Sequence, residues 1–303
     1  MLPIERILIT GASRGLGLET ARVLAARGIP LVLANRTTRG ELRVDGANVD
    51  VAQLDVSDLD AVRSFAASLS GTRLSAIVCN AGVQIVGDVQ MTTAGFEETC
   101  ATNHLGHFLL VRLLLGQLAP EGRVVFVASD THDPKQRTGM PAPDARDIEA
   151  VVRGEAFSID PPALAGRRRY TTSKLFNVLC TYELDRRLAT SSQRPSSVFA
   201  FDPGMMPGTG LAREYGPLAR WAWRTLMPLM TLVVPNVNTV RTSSRRLAAL
   251  AMGHVAAPSG TYISRGRVSR SSEDSYDEAL ARRLWESSSR HAGVSVDLSK
   301  GRP

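Results

Sequence analysis

Cysteine and histidine are scarce in this chain, with three of the first and five of the second among 303 residues. Cys79, Cys100 and Cys180 lack metal-ligand spacing, and any disulfide would leave one thiol over. No metal centre is therefore expected, and reduced thiols in a cytoplasmic setting are the simpler reading. Long hydrophobic runs are missing too. Met1-Leu2-Pro3-Ile4-Glu5-Arg6 leads straight into a strand-like segment, without the basic stretch and apolar core of an export signal. The most apolar later stretch, residues 221–240, is broken by Arg224, Pro228 and Pro235. That falls short of the roughly 20 apolar residues that span a bilayer. A helix capping an apolar pocket is the favoured role for it, and peripheral membrane contact stays open. Repeats, low-complexity linkers and sharp composition shifts are absent as well, so residues 1–303 read as a single domain. The net charge is +7, but the arginines are scattered and Arg167-Arg168-Arg169 has no interleaved aromatics. Nucleic-acid binding is not expected; a basic surface suits an anionic cofactor or substrate equally well.

What is present is an alternation of short aliphatic runs and longer stretches of helical period. Strands are predicted at residues 6–10, 31–35, 49–54, 76–79, 124–128, 197–201 and 261–263, and helices at 18–26, 59–69, 96–118, 170–188, 237–251 and 275–288. The strand runs are nearly continuous in apolar residues, as strands covered on both faces are. The expected fold is α/β: a Rossmann-type, doubly wound parallel sheet of about seven strands with helices on both faces. Residues 130–169 and 203–235 read as irregular, the first as an insertion and the second as a lid over a pocket.

Thr10-Gly11-Ala12-Ser13-Arg14-Gly15-Leu16-Gly17 lies where the first strand opens into the first helix, the context in which a glycine run signifies a nucleotide. Gly11 permits a tight turn. Gly15 and Gly17 permit close approach of backbone to pyrophosphate and of helix to strand, and the helix N-terminus favours the negative charge. After the second strand an acidic residue that would accept from a ribose 2′-hydroxyl is lacking; the chain has Asn35-Arg36-Thr37. A guanidinium there suits a 2′-phosphate, with Arg14 as a second positive charge, so NADP(H) is expected over NAD. Asp55-Val56 after the third strand flank the adenine on this reading, or simply cap a helix.

Tyr170-Thr171-Thr172-Ser173-Lys174 places a lysine one helical turn beyond a tyrosine. A phenol ionises near about 10, and an adjacent positive charge lowers that. Ser129, at the end of a predicted parallel strand, sits where open α/β sheets bind ligands. Taken singly, Tyr170 packs at a helix start, Lys174 is a solvated charge and Ser129 a strand-end cap. Together they form a proton-handling set.

With Asn80-Ala81-Gly82 after a strand, Asn103, and Asp202-Pro203-Gly204, these motifs resemble the short-chain dehydrogenase/reductase family over nearly the whole chain. Asn103-His104-Leu105-Gly106-His107-Phe108 resembles the subgroup holding retinol dehydrogenases and light-dependent protochlorophyllide reductases. The segment from Pro203 through Met206 and Thr209 to Leu211, the late Ala281-Arg282-Arg283-Leu284-Trp285-Glu286 and the long interval between Ser129 and Tyr170 are similar to the latter. The resemblance implies an oxidoreductase in which Tyr170 is the acid/base, Lys174 tunes it and binds the nicotinamide ribose, and Ser129 orients the substrate oxygen. It gives Asn103 either a role in helix geometry or in a water relay to Lys174. It carries the cofactor over onto Gly11, Ser13, Arg14, Gly15, Leu16, Gly17, Arg36, Asp55, Val56, Asn80, Ala81, Gly82, Tyr170, Lys174, Pro203, Gly204, Met206 and Thr209. Protochlorophyllide reductases resemble one another in a cysteine directly after the Pro-Gly, where this chain has Met205. A thioether cannot donate a proton.

His104 and His107 have no acidic partner at evident spacing and read as ordinary helix residues. Met205, Met206, Trp221, Trp223, Met227 and Met230 in the lid suit a bulky apolar or polycyclic small molecule, or else packing on the protein's own core. Carbonyl or alcohol chemistry is the leading expectation, followed by reduction of a carbon double bond and by a non-catalytic NADP sensor. Many family members pair through the helices corresponding to 96–118 and 170–188; the insertion tilts the expectation toward a monomer.

Overall fold

The computed structural model describes residues 5–37, 44, 46, 48–191, 196–206 and 238–298. Its strands are β1 (Arg6–Thr10), β2 (Leu31–Asn35), β3 (Val49–Gln53), β4 (Leu74–Cys79), β5 (Leu118–Val127), β6 (Ser197–Asp202), β7 (Thr261–Ser264) and β8 (Arg267–Ser269). They form one sheet in the order β3-β2-β1-β4-β5-β6-β7-β8, parallel throughout except for the β7–β8 pair. The chain winds outward from β1 to β3, then returns to place β4 on the other side of β1. The crevice at the carboxyl ends of β1 and β4 is thus the switch point where such sheets bind ligands.

Alternation along the strands divides the core. Leu8, Val32, Ile77 and Phe126 face one side, packing with Phe65 and with Phe108 and Leu109; Ile7, Ile9, Leu31, Leu33 and Val125 face the other, packing with Leu24 and Leu247. The helices are α1 (Gly15–Ala25), α2 (Leu59–Ser68), α3 (Glu98–Cys100), α4 (Gly106–Leu114), α5 (Ile148–Val152), α6 (Pro162–Ala189), α7 (Val240–Ala251) and α8 (Glu278–His291), with α5 packed against α6 and α8 away from the sheet. A π-helical turn, Ala101–Leu105, joins α3 to α4.

Four expectations change. An eighth strand follows the predicted seven, because Arg265 and Gly266 both adopt positive φ and turn the chain back antiparallel onto β7. β8 is only three residues, too short to show a period. The helix predicted over 96–118 is instead α3, the π turn, α4 and a 3-10 turn at Leu115–Gln117, with Glu97 capping the start through a bond from the Cys100 N–H. The interval 130–169 is not uniformly irregular: it holds α5 and two 3-10 turns, Asp130–His132 and Pro134–Gln136. It also holds the first two turns of α6, which begins at Pro162 rather than Tyr170. Proline suits a first helical turn, where its missing N–H has no intrahelical partner to lose. Of the lid expected at 203–235, residues 207–235 lie outside the described residues, and Thr209, Trp221, Trp223, Met227 and Met230 with them.

Candidate active site

At the end of β1 the backbone must turn sharply and then open a helix. Gly11 takes φ +67°, and a Cβ there would meet the Ala81 Cα at 2.7 Å. At Gly17 a Cβ would stand 2.5 Å from both the Gly11 carbonyl oxygen and Asn80 Nδ2. The loop is thus seated directly on the segment after β4. Asn80 Nδ2 donates to the carbonyls of Thr10 and Gly11, at 2.8 and 3.1 Å, and the N–H groups of Asn80 and Ala81 both donate to Thr10 Oγ1, at 2.9 and 3.0 Å.

With two bonds accepted, the Thr10 hydroxyl has its one proton left to give, and His107 Nε2 lies 2.8 Å away. The Asn103 carbonyl sets the His107 tautomer: Nδ1–H donates to it at 3.3 Å, which leaves Nε2 to accept. Burial, opposed by that bond to Asn103, pushes the His107 pKa down to about 3, so the ring is neutral in this role. Sequence reasoning passed over the Thr10–His107 pair because the two lie 97 positions apart. His104 is buried with its pKa lowered to about 4, and its Nε2 meets Ser288 Oγ at 2.8 Å.

Asn103 stands in the π-helical turn, a distortion frequent at functional sites. Its Oδ1 accepts from the Val83 N–H at 2.8 Å, and its Nδ2 donates to the Val83 carbonyl at 3.0 Å and to Ser173 Oγ at 2.9 Å. Ser173 Oγ in turn donates to the Tyr170 carbonyl at 2.7 Å. Asn103 thus ties the chain after β4 to the turn of α6 that carries Tyr170, and it is not among the residues that line the cavity.

That cavity, about 670 Å³, opens at the switch point. Gly11, Ser13, Arg14, Gly15, Leu16 and Gly17 form one end, with Arg36, Asp55, Val56, Asn80, Ala81 and Gly82 beside them. Ser129, Tyr170, Lys174, Pro203, Gly204 and Met206 line the other. Every predicted site residue that is described, Asn103 excepted, therefore meets one cavity; Thr209 lies outside the described residues.

At the first end, Arg14 precedes α1 with an extended backbone, its side chain makes no capping bond, and no acidic residue stands in the first helical turn. The opening of an eleven-residue helix thus faces the cavity beside two arginines, an arrangement that fits a phosphate. Asp55 is engaged locally, accepting from the Ser57 N–H and hydroxyl at 3.0 and 2.7 Å. Glu98, which the sequence reading did not single out, also lines this end. Its pKa is raised by burial and by the charge of Asp55, against the pull of Arg36.

At the other end, Ser129 follows β5 in extended conformation, and its hydroxyl lies 3.3 Å from both Asp130 Oδ1 and the Thr131 N–H. Tyr170 and Lys174, 8% and 5% exposed, stand one turn apart on α6, with Lys174 Nζ 5.6 Å from the centre of the Tyr170 ring. Nζ donates to the Val127 carbonyl at 2.9 Å, and Asn177 Nδ2 donates to the same oxygen at 3.3 Å. Burial lowers the Lys174 pKa to about 8, and the buried carboxylate of Asp202 holds it from falling further. Asp202 itself accepts from the Gly204 N–H at 2.8 Å and from Ser264 Oγ at 2.8 Å, which fixes the turn through Pro203 and Gly204 against the cavity.

Among the described residues no group of acids, histidines and cysteines is arranged to hold a metal ion, and no helix is long and apolar enough to cross a membrane.

Comparison with known proteins agrees with this arrangement. The family model described as short chain dehydrogenase matches residues 5–140. The chain is 33% identical to the chloroplastic protochlorophyllide reductase of Daucus carota, over 95% of this chain and 78% of that one. It is 32% identical to the corresponding protein of Chlamydomonas reinhardtii, over 96% and 79%. Among solved structures, an uncharacterized protein from Mycobacterium Paratuberculosis superposes with a TM-score of 0.71 at 30% identity, covering 97% of this chain and 95% of that one. A short-chain dehydrogenase/reductase from Burkholderia multivorans with bound NADP superposes at 0.58 and 21% identity, covering 88% and 100%, a likeness of fold.

Proposed function

The chain belongs to the short-chain dehydrogenase family, and we propose that it is an NADP(H)-dependent oxidoreductase acting on a carbonyl or alcohol of a bulky, largely apolar small molecule, with Tyr170 as acid/base. One observation carries this reading: the glycine loop and the Ser129–Tyr170–Lys174 set line the same cavity. A dinucleotide held along it would reach from one to the other.

Arg14, Arg36 and the opening of α1 would hold the phosphates, and Gly11 and Gly17 leave the backbone bare where the pyrophosphate approaches. Bound there, the nicotinamide supplies a two-electron reducing or oxidising equivalent. The protein supplies the proton and the alignment. Ser129 Oγ hydrogen-bonds the substrate oxygen, and Tyr170 gives a proton to that oxygen in reduction or takes it in oxidation. Lys174, charged below about pH 8, favours the phenolate form through space. Asn103 and Ser173 hold the tyrosine-bearing turn in place. A non-catalytic sensor has no physical need for this set.

Reduction of a carbon double bond of the kind named for the plant relatives is the second reading, supported by 33% identity over nearly the whole chain. Against it stands Met205, which lines the cavity with a side chain that cannot donate a proton.

Titration of the purified protein with NADPH and NADH, followed by nicotinamide fluorescence, tests the cofactor half. NADPH is expected to bind more tightly, and Arg36→Ala to remove about 10- to 100-fold of that advantage, the worth of a charge-assisted contact. Binding of neither nucleotide would overturn the proposal.

A further inference from the structure

The adjacent glutamates at the start of α3 have opposite fates. Glu97 is fully buried: its Oε2 accepts from the Cys100 N–H at 2.6 Å, and its Oε1 stands 3.4 Å from Arg169 Nε. Glu98 is turned the other way and lines the cavity. Its N–H donates to the Gln90 carbonyl at 2.9 Å, which pins the backbone to a second residue of the cavity wall. Thr102, four positions on, lines the cavity too, while Cys100 between them packs into an apolar cluster with Phe176 and Leu284. Gly106, at i+8 from Glu98, lies so close to the segment after β3 that a Cβ there would run into the Val56 carbonyl oxygen. The face that carries Glu98 and Thr102 is thus pressed against Asp55 and Val56, at the glycine-loop end.

A carboxylate in that position repels a phosphate, and it can only accept hydrogen bonds. Asp55 is already engaged by the Ser57 N–H and hydroxyl. Glu98 takes no hydrogen bond or ion pair from the described residues, and the charge of Asp55 acts on it more strongly than that of Arg36. It therefore stands toward the segment after β3, away from the guanidinium placed for the 2′-phosphate. The adenosine half of the dinucleotide has few donors to offer: the ribose hydroxyls and the 6-amino group of the base. The ribose goes with its phosphate to Arg36, which leaves the amino group for Glu98.

We infer that Glu98 is a base-reading residue of the nucleotide site: its carboxylate accepts from the 6-amino group of adenine and rejects a base that carries an oxygen there. The inference rests on the reading of this end of the cavity as the NADP(H) site. A site built to accept from a ligand N–H discriminates strongly against an analogue without it, because two acceptors then face each other with no hydrogen to share.

The probe pair is NADPH and reduced nicotinamide hypoxanthine dinucleotide phosphate, which differ in the base alone, 6-amino in one and 6-oxo in the other. Each is titrated into the purified protein and followed by nicotinamide fluorescence, with NADH in parallel. NADPH is expected to bind at least tenfold more tightly than the hypoxanthine analogue. That ratio should fall to about one in Glu98→Gln, whose amide serves either base with its oxygen or its NH2, and in Glu98→Leu, which serves neither. Glu98→Gln keeps the size of the side chain, and thermal melting of both variants checks that they fold. Equal binding of the two nucleotides by the wild type, or a preference that survives both substitutions, would overturn the assignment. So would an unchanged base preference with a larger NADPH-over-NADH ratio in Glu98→Gln, which would make Glu98 a counter-charge to Arg36. In all three cases NADPH still binds and the cofactor reading stands; if the wild type binds none of the nucleotides, both fall.

Discussion

The two ends of the cavity are built in opposite ways. At the nucleotide end the chain brings backbone to the ligand: two strand ends locked together through Thr10 and Asn80, glycines with no room for a side chain, and the opening of α1. At the substrate end it brings side chains: Ser129, Tyr170, Lys174, Gln84, Arg167 and Met140, from a strand end, one long helix and two loops. A pyrophosphate is the same in every dinucleotide, so backbone geometry suffices to receive it. A substrate is particular, and the side chains that surround it differ accordingly.

The sharpest way to break this contrast is at the substrate end. Tyr170→Phe keeps the ring and removes the proton, and it is expected to lower kcat by about 10²- to 10⁴-fold while NADPH still binds. Stopped-flow turnover under saturating NADPH measures it; a loss below about tenfold would mean that another group moves the proton.

At the nucleotide end the corresponding change adds atoms instead of removing one. Gly17→Val forces a side chain into the 2.5 Å space before Gly11 O and Asn80 Nδ2. NADPH affinity should fall about 100-fold, equivalent to about 2.7 kcal/mol. Were the loop only a turn with no nucleotide over it, the variant would lose thermal stability with no change in nucleotide affinity.

What could be read in the sequence follows the same division. The glycine loop, Asn80-Ala81-Gly82, Ser129 and the Tyr170–Lys174 pair were legible because each is a local pattern with one physical use. Thr10, His107 and Ser173 were not: they act on partners 97, 97 and 70 positions away respectively, and only the folded sheet puts them together. Arg167 was visible as part of a basic cluster, yet its placement depends on where α6 begins. Three arginines before the tyrosine gave no apolar period to extend the helix, whereas Pro162 at its first turn was the available start signal. The eighth strand failed for lack of length, and Glu98 because its neighbours Asp55 and Arg36 arrive from other strands.

Gly166→Ala tests whether the early turns of α6 belong to the substrate end alone. The added methyl meets the Ile85 carbonyl at 2.3 Å, an overpacking expected to cost about 1–3 kcal/mol of stability. The shift displaces Arg167 and the loop after β4 at Gln84. NADPH affinity should be retained, since the glycine loop is seated on Asn80 and Ala81, upstream of the disturbed residues. Calorimetric unfolding together with the NADPH titration separates the two ends; equal damage to both would show that they are mechanically one unit.

The last test is at Lys174. Its pKa in the folded, nucleotide-free protein is about 8, against an ordinary 10.5, because burial disfavours the ammonium more than Asp202 favours it. Between those two values the unfolded chain still holds a proton that the native protein has released. The unfolded state therefore binds more protons across this window, and the lysine's contribution makes stability rise as pH rises from about 8 towards 10.5. Below the window both states are protonated, and the burial penalty is carried in full. Lys174→Met removes the charge and with it the slope. The difference in unfolding free energy between wild type and variant should thus move in favour of the wild type on going from pH 7.5 to pH 10, by at most about 1.4 kcal/mol per pH unit. Denaturant unfolding of both proteins across that range measures it, with every other titrating group cancelling in the difference. A flat difference would place the lysine charge in contact with solvent or with a stronger counter-charge than Asp202. In that case the ammonium would stay charged well above pH 8, and the nucleotide-free tyrosine would have its positive neighbour at every pH the enzyme meets.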